Sequence, residues 1–232
     1  PVIDWGEMKT WWKRVAQRYA LSLVDLVLAF SDFSKADILK YARPKRIRTL
    51  YFGVDTERFK PSGKKEPLVL TVCFVVNATS LVQKGIGTMI ESARSIPEAQ
   101  FLINGMVSND EVMREVRRIA PTNVVFNDTF TSDDELLRLY QRAQVYVQVS
   151  AHEGFGIANI EAMSCGCISV VTNTTALPEV VGDAGFFVPF NDVPATTEAI
   201  RKALQSPDLG KKARARILEH FRPDTREKPF LA

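Results

Sequence analysis

The chain has 232 residues, 46% hydrophobic and 25% charged, with a formal net charge of +3. That balance belongs to an ordinary globular domain, and three cysteines inside apolar segments exclude a disulfide framework and point to a reducing compartment. Apolar runs are strand-length rather than membrane-length, and the start PVIDWGEMKTWW lacks the apolar core of a secretory leader, so a cytoplasmic location is expected.

Charge is spread unevenly along the chain. Residues 1–65 carry 14 Lys/Arg against 7 Asp/Glu, and the remainder 16 against 20. The segment Trp5–Leu23 predicts an amphipathic helix, with Lys9, Lys13, Arg14 and Arg18 among Trp11, Trp12 and Tyr19. A second basic run covers Arg43 to Arg48. Two partners fit such a region: an anionic membrane surface, or a neighbouring lobe that takes the aromatic face while the lysines stay solvated. The balance favours the neighbouring lobe, because charge runs usually mark a solvated face; no nucleic acid is expected.

After the first helix, Leu26–Phe30 predicts a short strand, Ser31–Tyr41 a helix with Ser34 as its cap, and Ile47–Tyr51 a strand. The stretch 61–67 predicts a loop or boundary. Strand and helix signals then alternate: strand Leu68–Val76, helix Gly85–Ser95, strand Gln100–Asn104, helix Asp110–Ala120, strand Asn123–Asn127. Helix Ser132–Arg142 opens on a capping box, Ser132 with Glu135, and strand Val145–Val149 follows. A strand at Gly185–Val188 and helices Pro194–Gln205 and Pro207–Phe221 complete the pattern. Alternation of this kind predicts an α/β fold, a Rossmann-like parallel sheet with helices on both faces. From about Leu68 it makes one complete lobe, whose ligands bind at the carboxyl ends of the strands where strand order reverses. The loops 77–84 and 150–156 both leave strands at that edge. Residues 1–66 read as a remnant of another lobe with a connecting segment, and 67–232 as the complete lobe.

The most informative stretch is 150–189. Glu153, Gly154, Phe155 and Gly156 lead into a short apolar helix that carries Glu161 and ends at Gly166, and the strand Cys167–Val171 follows. Glycines ahead of a helix let backbone N–H groups approach a ligand, and a helix N-terminus carries positive partial charge. Phosphate would go to that backbone, and hydroxyls to the two carboxylates, a division of labour that suits a sugar nucleotide.

These residues resemble glycosyltransferase family 4. Glu153-Gly-Phe-Gly, the eight-residue spacing from Glu153 to Glu161, the Ala-Met-x-x-Gly that follows, and Leu177-Pro-Glu-Val180 are similar to its donor-site pattern. Upstream, Gly53-Val-Asp-Thr-x-x-Phe59-x-Pro61 resembles the family's interlobe segment, and Lys84-Gly85 its phosphate lysine. The resemblance runs from Ala29 to about Phe221. It implies a retaining hexosyltransferase of the two-lobed GT-B architecture, using a UDP- or GDP-sugar without metal or other cofactor, with this chain supplying the donor lobe. It further implies that Glu161, in the first turn of its helix, accepts from the ribose hydroxyls, and that Glu153, the catalytic-site carboxylate, contacts the transferred sugar. Gly154, Phe155, Gly156 and Ile157 would present backbone to sugar and diphosphate, and Lys84 a compact charge to the diphosphate.

Two departures stand out. The family usually pairs the lysine with a Gly-Arg about five residues earlier, and here the stretch is Asn77-Ala-Thr-Ser-Leu-Val-Gln83, where Thr79 or Ser80 offers a hydrogen bond without charge. The family's first-lobe histidine has no counterpart, since the histidines are His152 and His220. Cys165-Gly-Cys167 lacks the second pair a zinc site needs, and neither a Walker lysine nor G-x-G-x-x-G occurs. Two readings of different class follow: the donor lobe of a transferase, active with an acceptor lobe, or a nucleotide-sugar-binding or regulatory module without transfer of its own. An epimerase or phosphorylase of similar lobes ranks third.

Overall fold

A computed structural model describes residues 11–75, 77–105 and 110–225. Its centre is a six-stranded, all-parallel sheet in the order β5-β4-β3-β6-β7-β8. The strands are β3 Glu66–Val72, β4 Gln100–Asn104, β5 Val124–Asn127, β6 Ala143–Gln148, β7 Ile168–Thr172 and β8 Gly185–Val188. The chain builds outward from β3 to β5, then crosses back and builds outward from β6 to β8. Order therefore reverses between β3 and β6, which pair as Val69 with Val145 and Leu70 with Tyr146. This is the α/β doubly wound arrangement the sequence predicts.

Alternation along β3 explains the two layers. Val69 faces a core with Ile86, Met89 and Ile90 of α4 (Ile86–Arg94) and Ile200 of α9 (Val193–Gln205). Leu68 and Leu70 face the other way, toward Tyr140 of α6 (Asp133–Arg142) and Ala162 of α7 (Ile157–Ser164). On that same side, α8 (Leu177–Val181) and α10 (Leu209–His220) supply Leu177, Val180, Ala213 and Ile217. Buried on both faces, central β7 is apolar apart from Ser169 and Thr172, whose hydroxyls bond to Asn159 Oδ1 and to the Ser150 carbonyl. Helix α5 (Asp110–Ile119) puts Val116 into the first core.

Upstream, β1 (Val27–Ala29) and β2 (Ile47–Thr49) form a separate two-stranded parallel sheet, crossed by α2 (Asp32–Tyr41). Helix α1 (Trp11–Leu23) precedes it with Trp11, Trp12, Val15 and Tyr19 exposed. The predicted start of this helix at Trp5, with Lys9, lies outside the described residues, as do the side chains of Lys13 and Arg14.

Several boundaries need correction. The N-cap of α2 is Ser31, whose side chain accepts from Ser34 N, so Ser34 is inside the helix and not its cap. The expected loop 77–84 contains a helix, α3 (Ala78–Gln83), closed by a capping box between Asn77 and Ser80. The capping box at Ser132 and Glu135 is present as predicted. Leu177–Val181 is also helical, a five-residue helix too short to show a period in the sequence.

Candidate donor site

The loops after β3 and β6 meet at the reversal point, and a glycine decides how closely. Gly85 has φ +67°, and a Cβ there would lie 2.2 Å from the Val149 carbonyl oxygen. Only glycine lets the α3–α4 turn rest on the end of β6 in this left-handed conformation. Ala151 N donates to the Gln83 carbonyl at 2.8 Å and ties the two loops together. Lys84, between those anchors, is thereby aimed at the β6–α7 loop. Its Nζ donates to Glu153 Oε1 at 2.7 Å, with the lysine side chain 33% and the glutamate 13% exposed. Lys84 and Glu153, 69 residues apart, thus share one charge-assisted contact.

Gly156 is the N-cap of α7, with φ +97° and no side-chain cap. A Cβ there would meet Leu177 Cδ2 at 3.0 Å and Gln148 Oε1 at 3.3 Å. The glycine thus leaves the first-turn N–H groups, those of Ile157 and Ala158 foremost, to the positive end of the helix. Ile157 itself is exposed beside them, while Phe155 is buried among Tyr51, Phe52 and Phe221. The Phe155 ring anchors the loop from below, so only its backbone can face a ligand. Gly154 is exposed, and its carbonyl oxygen lies 2.9 Å from the Ser31 hydroxyl and 3.1 Å from that of Ser34.

Glu161 lies in the second turn of α7 rather than the first, because the helix starts at Ile157. Burial pushes its carboxyl above the usual carboxylate range, and a hydrogen bond donated by the Tyr140 hydroxyl at 3.1 Å works against that shift. Arg58 lies near enough to favour the charged form, and itself pairs with Asp134 at 2.9 Å. Thr79 sits exposed in the first turn of α3 and Ser80 is committed to the capping box. His152 packs its ring 5.9 Å from that of Phe33, and burial pushes its imidazole below the usual range.

Sequence reasoning missed a third carboxylate. Glu179 accepts from the backbone N–H groups of Asp32 at 2.8 Å and Phe33 at 3.2 Å, so it caps α2 from across the molecule. The Tyr51 hydroxyl donates to it at 2.6 Å, and burial followed by this bond pushes the phenol up. The Leu-Pro-Glu-Val motif carried the signal, but nothing local said which helix its glutamate would cap. Tyr140 was missed too, though a tyrosine on the apolar face of a helix needs a partner for its hydroxyl.

A lysine, a helix N-terminus and two glutamates thus lie at the carboxyl edge of a parallel sheet where its strand order reverses, the place where open α/β sheets take their ligands. Residues 55–220 match the family described as glycosyl transferases group 1, and the chain belongs to that family. It is similar to O-antigen chain mannosyltransferase B of Escherichia coli, 45% identical over 215 residues, covering 86% of this chain and 56% of that protein. It is also similar to the GDP-mannose:cellobiosyl-diphosphopolyprenol alpha-mannosyltransferase of Komagataeibacter xylinus, 26% identical, covering 91% of this chain and 56% of that protein. The chain therefore spans about half the length of these curated relatives. Among solved structures, sucrose-phosphate synthase from Thermosynechococcus elongatus superposes with a TM-score of 0.83 at 21% identity, over 99% of this chain and 63% of that one. HepE of Anabaena in complex with UDP and glucose superposes at 0.82 and 20% identity, over 94% and 65%. At such identities the likeness is one of fold. No described helix is long and apolar enough to cross a membrane.

Proposed function

We propose that this chain is the donor-binding lobe of a retaining mannosyltransferase that takes GDP-mannose. The observation that carries the reading is the Lys84–Glu153 contact at the sheet's reversal point, next to the N-terminus of α7, the helix that carries Glu161 in its second turn. The mannosyltransferase relatives support the sugar, and the name of the Komagataeibacter enzyme supports the guanine nucleotide. Structure neighbours named with UDP favour a nucleoside diphosphate more generally.

Each group then has a task. Glu161 accepts from the ribose hydroxyls, and the first-turn N–H groups of α7 face the diphosphate, where negative charge develops as the sugar leaves. A diphosphate competes with Glu153 for Lys84. As the lysine turns to phosphate, the carboxylate is released to the hydroxyls of the transferred sugar. The exchange lets one cation serve where the family's pattern has a lysine and an arginine. Metal is not required in this scheme, since backbone dipoles and Lys84 meet the phosphate charge.

Calorimetry tests it. GDP-mannose should bind more tightly than UDP-glucose, equally well in the presence of a chelator, and Glu161→Ala should cost about 1–3 kcal/mol of binding. Equal binding by Glu161→Ala overturns the ribose assignment. Affinity lost in chelator and restored by Mg²⁺ overturns metal independence. A bound donor that is never transferred, even with an acceptor lobe present, would favour a binding or regulatory module.

A further inference from the structure

A glutamate side chain has several rotamers and two equivalent oxygens, so a carboxylate meant for a ribose needs something to fix it. Glu161 is fixed from inside the lobe. Tyr140 is 0% exposed and donates its hydroxyl to Glu161 Oε2 at 3.1 Å. Among the described residues no protein donor reaches Oε1. The Tyr140 ring has little freedom of its own. It lies 6.3 Å from the ring of Phe59 and edge-on to Tyr146 at 6.0 Å. Its backbone carbonyl accepts from Lys65 Nζ at 2.7 Å and from the Cys167 thiol at 3.1 Å, which pins the end of α6 above β7.

We infer that Tyr140 is a positioning residue of the donor site: its buried hydroxyl occupies one oxygen of Glu161 and turns the other toward the ribose. The inference rests on the donor reading above, because it takes Glu161 as the ribose acceptor. It deepens that reading by assigning discrimination between ribose and deoxyribose nucleotides to a residue that never touches the ligand. Tyr146 supplies an internal control. Its hydroxyl is equally buried and electrostatically close to Glu153 and Glu161, but bonds to neither.

The experiment is calorimetric titration of the full chain with GDP and with 2′,3′-dideoxy-GDP. The parent should prefer GDP. Tyr140→Phe keeps the ring and its packing; it should weaken GDP about 10-fold, the order of one charge-assisted hydrogen bond, and leave dideoxy-GDP within about twofold. Tyr146→Phe should preserve the parent's preference. A purely structural role for Tyr140 predicts equal weakening of both nucleotides, and that result overturns the inference. So does a Tyr140→Phe variant that retains the full preference for GDP. Should the parent itself fail to distinguish the two nucleotides, the ribose assignment of Glu161 falls and the inference with it. Circular dichroism of Tyr140→Phe accompanies the titration. If that variant is unfolded, Tyr140→Leu, which removes the hydroxyl without adding volume or a new donor, takes its place under the same criteria.

Discussion

At the residue scale, Glu161 trades stability for a charged acceptor. Burial raises its carboxyl above the ordinary range, so the folded chain holds that proton more tightly than the unfolded chain does. A raised value makes its contribution fully present below the unfolded carboxylate range and progressively lost as pH rises through the folded one. Ionised Glu161 is therefore a cost to the fold at neutral pH, one that the proposed ribose contact would account for. Glu161→Gln keeps an oxygen for the Tyr140 hydroxyl and removes the charge. Thermal unfolding should show it more stable than the parent at pH 7, with the difference shrinking toward pH 4, while GDP binding weakens. A stability difference independent of pH would contradict the assignment. The glutamate pair was legible in the sequence because its spacing and glycines sit in one short stretch. The partners of Tyr140 and Glu179 were not, because they lie 21 and about 147 residues away, and only the fold brings them into contact.

At the element scale, two glycines two positions apart make opposite demands. Gly85 is left-handed, and a Cβ would strike the Val149 carbonyl at 2.2 Å. Gly87, inside α4, has nothing within 4 Å of its would-be Cβ. Gly85→Ala should destabilise by more than about 1–3 kcal/mol, since strain and a backbone clash add, and should weaken nucleotide binding by displacing Lys84. Gly87→Ala should stabilise by about 0.5–1 kcal/mol through helix propensity alone. Urea unfolding of both variants distinguishes these outcomes, and a tolerated Gly85→Ala would mean that the α3–α4 turn can leave β6. Sequence reasoning placed long periodic helices such as 133–142 and 193–205 within a residue or two. It took Ala78–Gln83 for a loop because six residues are too few to show a period. Strand β6 begins two residues earlier than expected, at Ala143, since its start runs straight out of the Arg142 end of α6 without a turn residue.

At the scale of the whole molecule, the β1–α2–β2 unit is held to the large sheet by bonds that converge on the candidate site. Ser31 and Ser34 meet the Gly154 carbonyl, Glu179 caps α2, and Val54 N donates to the Phe221 carbonyl at 2.8 Å. The β6–α7 loop is thus framed by Ser31, Ser34 and α2, which come from the part of the chain that precedes the six-stranded sheet. In our reading this frame suffices to bind a donor. Transfer needs more: the acceptor must be held against the sugar and water excluded, and proximity with orientation can account for roughly 7–11 kcal/mol of a barrier. The chain covers 56% of the Escherichia coli mannosyltransferase, so in our reading the groups that hold an acceptor belong largely to the remaining length. Residues 1–232 alone should bind GDP-mannose and show negligible transfer of labelled mannose to a panel of mannoside acceptors. Transfer should appear when the polypeptide corresponding to the uncovered part of that relative is supplied in cis or in trans. Ser31→Ala with Ser34→Ala should lower donor affinity in either setting, because the Gly154 carbonyl loses both hydroxyls that orient it. Robust transfer by residues 1–232 alone would show instead that the exposed aromatic face of α1 and the β1–β2 sheet already build an acceptor site.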